Sequence, residues 1–258
     1  MPCASIHAVE LYADQEGAGP CVVLVHGFTQ TRRCWGAEAD DLARDHQVIR
    51  VDAPGHGRSQ AVGASLATGA QLIADRGGEA TYLGYSMGAR FCLQLALDHP
   101  SIVRRLVLIG GTAGLEDPDQ RAERQERDGR TARRLETEGL DQFLGWWLAQ
   151  PLFARLPPER AFRAERMENT VAGLVSSLEQ AGTGAQEPSW SRLAGLTMPV
   201  LVLAGALDAK FAALAERMAR EIGANATLAL VPEAGHAAHL EQPAAFRSIL
   251  RSWLAEHP

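Results

Sequence analysis

With 258 residues, 46% of them hydrophobic, the chain is long enough to bury one large core. Its formal net charge of -6 offers no overall attraction to nucleic acid or to an anionic membrane, and no stretch approaches the roughly 18 apolar residues of a membrane span. The opening residues lack a basic region followed by an apolar run, so the expectation is a cytoplasmic protein, monomeric or a small homo-oligomer, that works on a small molecule. Four cysteines, Cys3, Cys21, Cys34 and Cys92, stand apart without the paired spacing of a zinc or redox site, and neither a metal nor a cofactor is signalled.

Taken in chain order, short apolar runs rich in β-branched residues alternate with longer helical patterns, which predicts a mostly parallel sheet with helices on both faces. The strands fall at Ser5–Tyr12, Val22–Val25, Gln47–Val51, Thr81–Gly84, Leu106–Ile109, Val200–Ala204 and Thr227–Val231. The helices between them include Leu66–Arg76, Met87–Asp98, Ala212–Glu221 and Ala244–Ala255. Runs such as CVVLV are too uniformly apolar for a strand with one wet face and belong in the buried middle.

The alternation breaks between Glu116 and Trp190, where the texture is helical and rich in arginine and glutamate. This predicts a helical cap inserted at about 116–190 into a single domain spanning 1–258. Its first part, Asp119 to Glu138, is almost wholly polar and must face water or cover a polar cavity. The later FLGWWLAQPLFARL is apolar and should anchor the cap to the body.

Strand Thr81–Gly84 runs through Gly84-Tyr85-Ser86-Met87-Gly88 into a helix. A strand, G-x-S-x-G and a helix in that order form the nucleophile elbow of the α/β-hydrolase fold, although a glycine-rich loop closing an ordinary β–α connection would also read this way. A serine hydroxyl needs an imidazole to take its proton. In this fold the partners follow in the order serine, acid, histidine, which points to His236, with His239 as its rival and Gly235 as the reason to prefer His236. His26 and His56 precede the serine, and His7, His46, His99 and His257 lack a suitable setting. Asp208, in LAGALDAKF after a strand, is the acid, or else the N-cap of the next helix. The backbone N–H groups of Met87, after the serine, and of Phe28, in the loop His26-Gly27-Phe28-Thr29-Gln30, are the candidate oxyanion hole. Asp52-Ala53-Pro54-Gly55-His56-Gly57 reads as a structural turn.

The segments HGFTQTRRCW, VDAPGHGRS, GYSMGAR, WWLAQPLF, ERMENTVAGLVSSLEQAGTGAQEPSW, LAGALDAKF and GHAAHLEQP together resemble the 2-succinyl-6-hydroxy-2,4-cyclohexadiene-1-carboxylate synthases of menaquinone biosynthesis. The resemblance implies a lyase that eliminates pyruvate from 2-succinyl-5-enolpyruvyl-6-hydroxy-3-cyclohexene-1-carboxylate, a polycarboxylate. It implies substrate-binding roles for Arg90, which closes the serine motif, for Arg124 and Arg166 in the cap, and for Trp147 and Tyr85. The family pattern has a glycine where this chain has Ala89. Ten arginines lie between Arg121 and Arg166, and most suit a solvated face paired with Glu116, Glu123, Glu126 and Glu136. A serine hydrolase of esters, lactones or C–C bonds acting through an acyl-enzyme is the alternative, and a non-catalytic binding protein on the same fold is a third reading.

Overall fold

The computed structural model describes residues 10–258. A seven-stranded sheet forms the centre: β1 (Ala13–Glu16), β2 (Cys21–Val25), β3 (Gln47–Val51), β4 (Ala80–Tyr85), β5 (Val103–Ile109), β6 (Val200–Gly205) and β7 (Ala226–Val231). Their spatial order is β1-β3-β2-β4-β5-β6-β7; β1 is antiparallel to β3 and all other pairings are parallel. Around it stand α1 (Gly36–Leu42), α2 (Leu66–Gly77), α3 (Met87–Asp98), α4 (Pro118–Leu148), α5 (Arg163–Arg166), α6 (Val171–Ala181), α7 (Ala209–Ile222), α8 (Ala238–Glu241) and α9 (Pro243–Glu256).

β4 and β6 are buried along their whole length because helices cover both faces. One apolar cluster joins α2, α3 and α7 to the sheet, and another joins α1 and α9 to its opposite face. The expected strand Ser5–Tyr12 falls mostly outside the described residues and is corrected only over Glu10–Tyr12, which are not in a strand. Cys3, His7 and residues 5–9 lie outside the described residues, and Glu10–Tyr12 precede the ladder, whose edge strand is the polar Ala13–Glu16. Leu11 packs in the core at 3% exposure without belonging to a strand, while the polar Ala13–Glu16 joins the ladder through backbone pairing and needs no apolar side.

Between β5 and β6 the chain leaves the sheet. α4 bends at Gly139, whose φ of 75° breaks the helical path, and packs on α6 through Leu135, Phe143 and Leu174, joined by Phe28 from the body. Residues 116–190 contain no strand. Asn169 stitches this region to the body: its Nδ2 donates to Thr29 O at 2.8 Å and its Oδ1 accepts from Gly57 N at 2.8 Å.

The loops after β2 and β3 are held to each other by two buried histidines. His26 Nε2 accepts from Ala53 N at 3.1 Å and His56 Nε2 accepts from Thr29 N at 3.3 Å, while each Nδ1 meets a carbonyl, Gly27 O and Pro54 O, at 2.9 Å. Asp52, fully buried, accepts from Arg32 N, Arg58 N and Arg32 Nη1, the structural role expected of its turn. Burial pushes His26 down to about 4 and His56 to about 3, since a proton on Nε2 would set two donors face to face. Both values lie below the unfolded value of 6.5, so the unfolded chain binds more protons. Stability is full above about pH 6.5 and falls as the pH drops toward 4 and then 3. Urea unfolding at stepped pH should show this decline beginning near pH 6; a loss confined to below pH 5 would assign it to carboxylates instead.

Candidate active site

β4 ends in a turn that places Ser86 at φ 52° and ψ -106°, a conformation few non-glycine residues adopt. Two glycines make room for it. A Cβ on Gly84 would lie 2.3 Å from Gly88 O, and one on Gly88 would lie 2.0 Å from Val25 O. Ser86 N is tied to Ile109 O at 2.8 Å. The side chain thereby stands at the C-terminal edge of the sheet with its Oγ 3.0 Å from His236 Nε2.

His236 Nδ1 meets Asp208 Oδ2 at 3.0 Å, and Asp208 Oδ1 accepts from Phe211 N at 3.2 Å. The two readings of Asp208 from sequence are therefore not exclusive: one oxygen caps α7 and the other holds the imidazole. Burial works to raise its carboxyl, but His236, Phe211 N–H and Lys210 outweigh it and leave the group below the usual carboxylate range. The imidazole is 3% exposed and is enclosed by Phe211 at 4.3 Å, Tyr85 at 5.5 Å and Phe153 at 6.5 Å between ring centroids. His239, the rival, is buried against Trp35, Tyr85 and Phe246 and makes no bond to Ser86. Among the described residues, the backbone N–H groups of Phe28 and Met87 have no protein acceptor.

A cavity of about 810 Å³ opens on Ser86 and is lined by Phe28, Tyr85, Met87 and His236 on the body side and by Arg124, Arg166 and Trp147 on the other. Arg90 also lines it, 7% exposed, with Nη1 donating to Ala181 O at 2.8 Å and no carboxylate partner among the described residues. Burial, then the charge of Arg124, pushes its guanidinium down to about 10 against the opposing pull of Asp128. Arg166 is 1% exposed and likewise has no carboxylate partner. Its Nε donates to Ala161 O and its Nη1 to Phe28 O and Thr29 Oγ1, so part of the fork secures the loop that carries the Phe28 N–H. Arg124 donates from Nε to Asp128 at 2.9 Å. Trp147 packs edge-on to Phe28, and its buried Nε1 has no acceptor.

The other arginines of α4 divide differently from expectation. Arg130 pairs with Glu126 and Arg134 with Glu138, whereas Glu116 is taken by Arg217 of α7; Glu123 and Glu136 form no ion pair among the described residues. Ala89, the departure from the family pattern, is buried, and Gly111 lies opposite: a Cβ there would stand 2.8 Å from the Ala89 methyl.

Sequence reasoning passed over Glu241, although it lies in the quoted segment GHAAHLEQP. Its buried carboxylate accepts from Gly235 N at 2.5 Å and from Ala237 N at 2.9 Å, so the two peptide N–H groups flanking His236 are fixed by one side chain. The signal was an acid five residues beyond the histidine on a one-turn helix that folds back. Hydrogen bonds to a charged group contribute about 1.5–3 kcal/mol each. Glu241→Ala should therefore lower the melting temperature and slow labelling of Ser86 by a fluorophosphonate about tenfold; labelling at the wild-type rate would show that the loop holds without it.

The alpha/beta hydrolase family model matches residues 22–249. A relative from Escherichia coli O1:K1 / APEC, 34% identical over 87% of this chain and 90% of its own, is named 2-succinyl-6-hydroxy-2,4-cyclohexadiene-1-carboxylate synthase. The solved structure of MenH from S. aureus superposes with a TM-score of 0.89 at 27% identity, covering 95% of this chain and 98% of that one. A thermophilic esterase from Thermogutta terrifontis, solved with malate bound, gives 0.84 at 27% identity over 96% and 94%. Among the described residues no helix is long and apolar enough to cross a membrane. The chain belongs to the alpha/beta hydrolase family and, within it, to the family of the 2-succinyl-6-hydroxy-2,4-cyclohexadiene-1-carboxylate synthases.

Proposed function

We propose that the chain is a cytoplasmic lyase that eliminates pyruvate from 2-succinyl-5-enolpyruvyl-6-hydroxy-3-cyclohexene-1-carboxylate to give 2-succinyl-6-hydroxy-2,4-cyclohexadiene-1-carboxylate, with residues 116–190 as the cap of one domain. The observation that supports this reading best is the pair Arg90 and Arg166: two buried guanidiniums without a carboxylate partner among the described residues, on the cavity that holds Ser86. A buried charge left unpaired is costly. A polycarboxylate supplies the missing counter-charge, and a planar fork grips a carboxylate through two parallel hydrogen bonds.

Ser86 Oγ, passing its own proton to His236 Nε2, removes the ring proton α to the succinyl carbonyl. Asp208 keeps the imidazole in the tautomer that accepts and offsets the charge it gains. The electron pair left on the ring forms the new double bond as the C–O bond to the enolpyruvyl group breaks. The departing enolate takes up a proton and becomes pyruvate. Phe28 and Met87 N–H stabilise the enolate-like oxygen, a donor each worth about 3–4 kcal/mol in such sites. Arg90, Arg124 and Arg166 hold carboxylates, while Trp147 Nε1 and the Tyr85 hydroxyl, which has no hydrogen bond among the described residues, complete the polar contacts.

Hydrolysis through an acyl-enzyme is the second reading. It is favoured by the apolar side of the same cavity, where Trp146, Trp147, Leu152 and Phe153 could receive an acyl group. Pyruvate release and hydrolysis of p-nitrophenyl acetate, measured side by side, separate the two. Efficient pyruvate release with feeble ester hydrolysis is expected. Ser86→Ala should reduce release about a thousandfold or more with binding retained, and Arg90→Ala should raise KM about tenfold or more. Strong ester hydrolysis without pyruvate would transfer the protein to the hydrolases.

A further inference from the structure

Beyond the cavity already described lies a second, of about 900 Å³, and the two share a wall formed by Ser86, Arg90, Arg124, Arg127 and Lys210. Lys210 is the chain's single lysine. Its position is electrostatically costly. It stands in the first turn of α7, where the helix dipole disfavours a cation. Arg124 and Arg127 face it across the gap, and after partial burial it is their charges that hold its ammonium below the ordinary lysine value. Asp208 acts in the opposite sense but is engaged by His236 and the α7 cap.

Among the described residues, neither Lys210 nor Arg127 forms an ion pair. Nearby cations behave otherwise: Arg130, Arg134 and Arg217 each sit against a glutamate. Of the acids on the second cavity, Glu116 pairs with Arg217 and Asp117 caps α4, which leaves Glu123 against the four cations of the shared wall. The ammonium rests 5.6 Å from the centroid of Phe211, the ring that packs at a tilt against His236.

We propose that Lys210 and Arg127 form a carboxylate subsite at the junction of the two cavities, separate from Arg90 and Arg166, which receives a carboxylate of the substrate or of the departing 2-oxo acid. This rests on the polycarboxylate reading above. Crowded like charges beside the reacting serine are relieved when an anion arrives, so the repulsion among them favours binding of a negatively charged arm. The carboxylate can come from the succinyl arm or from pyruvate, and the two are told apart by using succinate and pyruvate as separate probes.

The test is thermal unfolding of the full chain with and without each anion, together with KM for pyruvate release, in wild type, Lys210→Met, Lys210→Arg and Arg127→Met. Without anion, Lys210→Met should melt at or above the wild-type temperature, because it removes repulsion. At least one anion should stabilise wild type; Lys210→Met should lose a large part of that shift, the remainder being carried by Arg90 and Arg166, and Lys210→Arg should keep it. KM should rise about five- to tenfold in Lys210→Met and in Arg127→Met, with the change concentrated in KM and not in kcat. Equal shifts in wild type and Lys210→Met, no shift from either anion, or a Lys210→Met protein that melts several degrees lower would each overturn the subsite. Anion protection that follows this pattern in a protein releasing no pyruvate would uphold the subsite and reject the lyase reading.

Discussion

The site depends on one close approach, that of α3 to the ends of β2 and β4. Gly84 and Gly88 have no room for a side chain, and the sharp turn they permit forces Ser86 into positive φ. A conformation of that kind costs about 1–3 kcal/mol and persists only where its surroundings over-determine it. Here they do: Ser86 N is bonded to the end of β5, and the flanking strand and helix are buried. The same approach brings the hydroxyl level with the loops after the adjacent strands β6 and β7, so that Asp208 and His236 reach it without any long connection.

The region over the sheet is fastened by polar groups as much as by apolar ones. Leu135, Phe143 and Leu174 give it a small core with Phe28 and Trp147 at its edge. Arg166 and Asn169 bond to the loop after β2, the loop that presents the Phe28 N–H. In the proposed reaction, an anion bound at Arg166 would therefore be coupled through one guanidinium to the placement of the Phe28 N–H. The arginines around the cavities fall into two kinds: Arg124, Arg130 and Arg134 are each matched to an acid of α4 itself, whereas Arg90, Arg127 and Arg166 have no carboxylate partner among the described residues.

Much of this was legible in sequence because it is local. The elbow needs small residues two positions either side of Ser86, and the buried strands betray themselves by unbroken apolar runs. What escaped has non-local causes. β1 is polar, and backbone pairing of such a strand leaves no apolar run or alternation in the sequence to mark it. Glu241 acts on the backbone of residues 235 and 237 after the chain reverses, and nothing in its neighbours' polarity announces that. The partners of individual arginines depend on α4 meeting α7, which is how Arg217 comes to claim Glu116.

The contact between Ala89 and Gly111 has a consequence for how such chains can change. The space between α3 and the loop after β5 holds one methyl group, and it does not matter sterically which side supplies it. Alanine at 89 is admissible because 111 is glycine; a chain with glycine at 89 is free to carry alanine at 111; alanine at both collides. The two positions are thus epistatic, and any path from one arrangement to the other must pass through the double-glycine intermediate. A departure from the family pattern at position 89 is then uninformative about activity until position 111 has been read beside it.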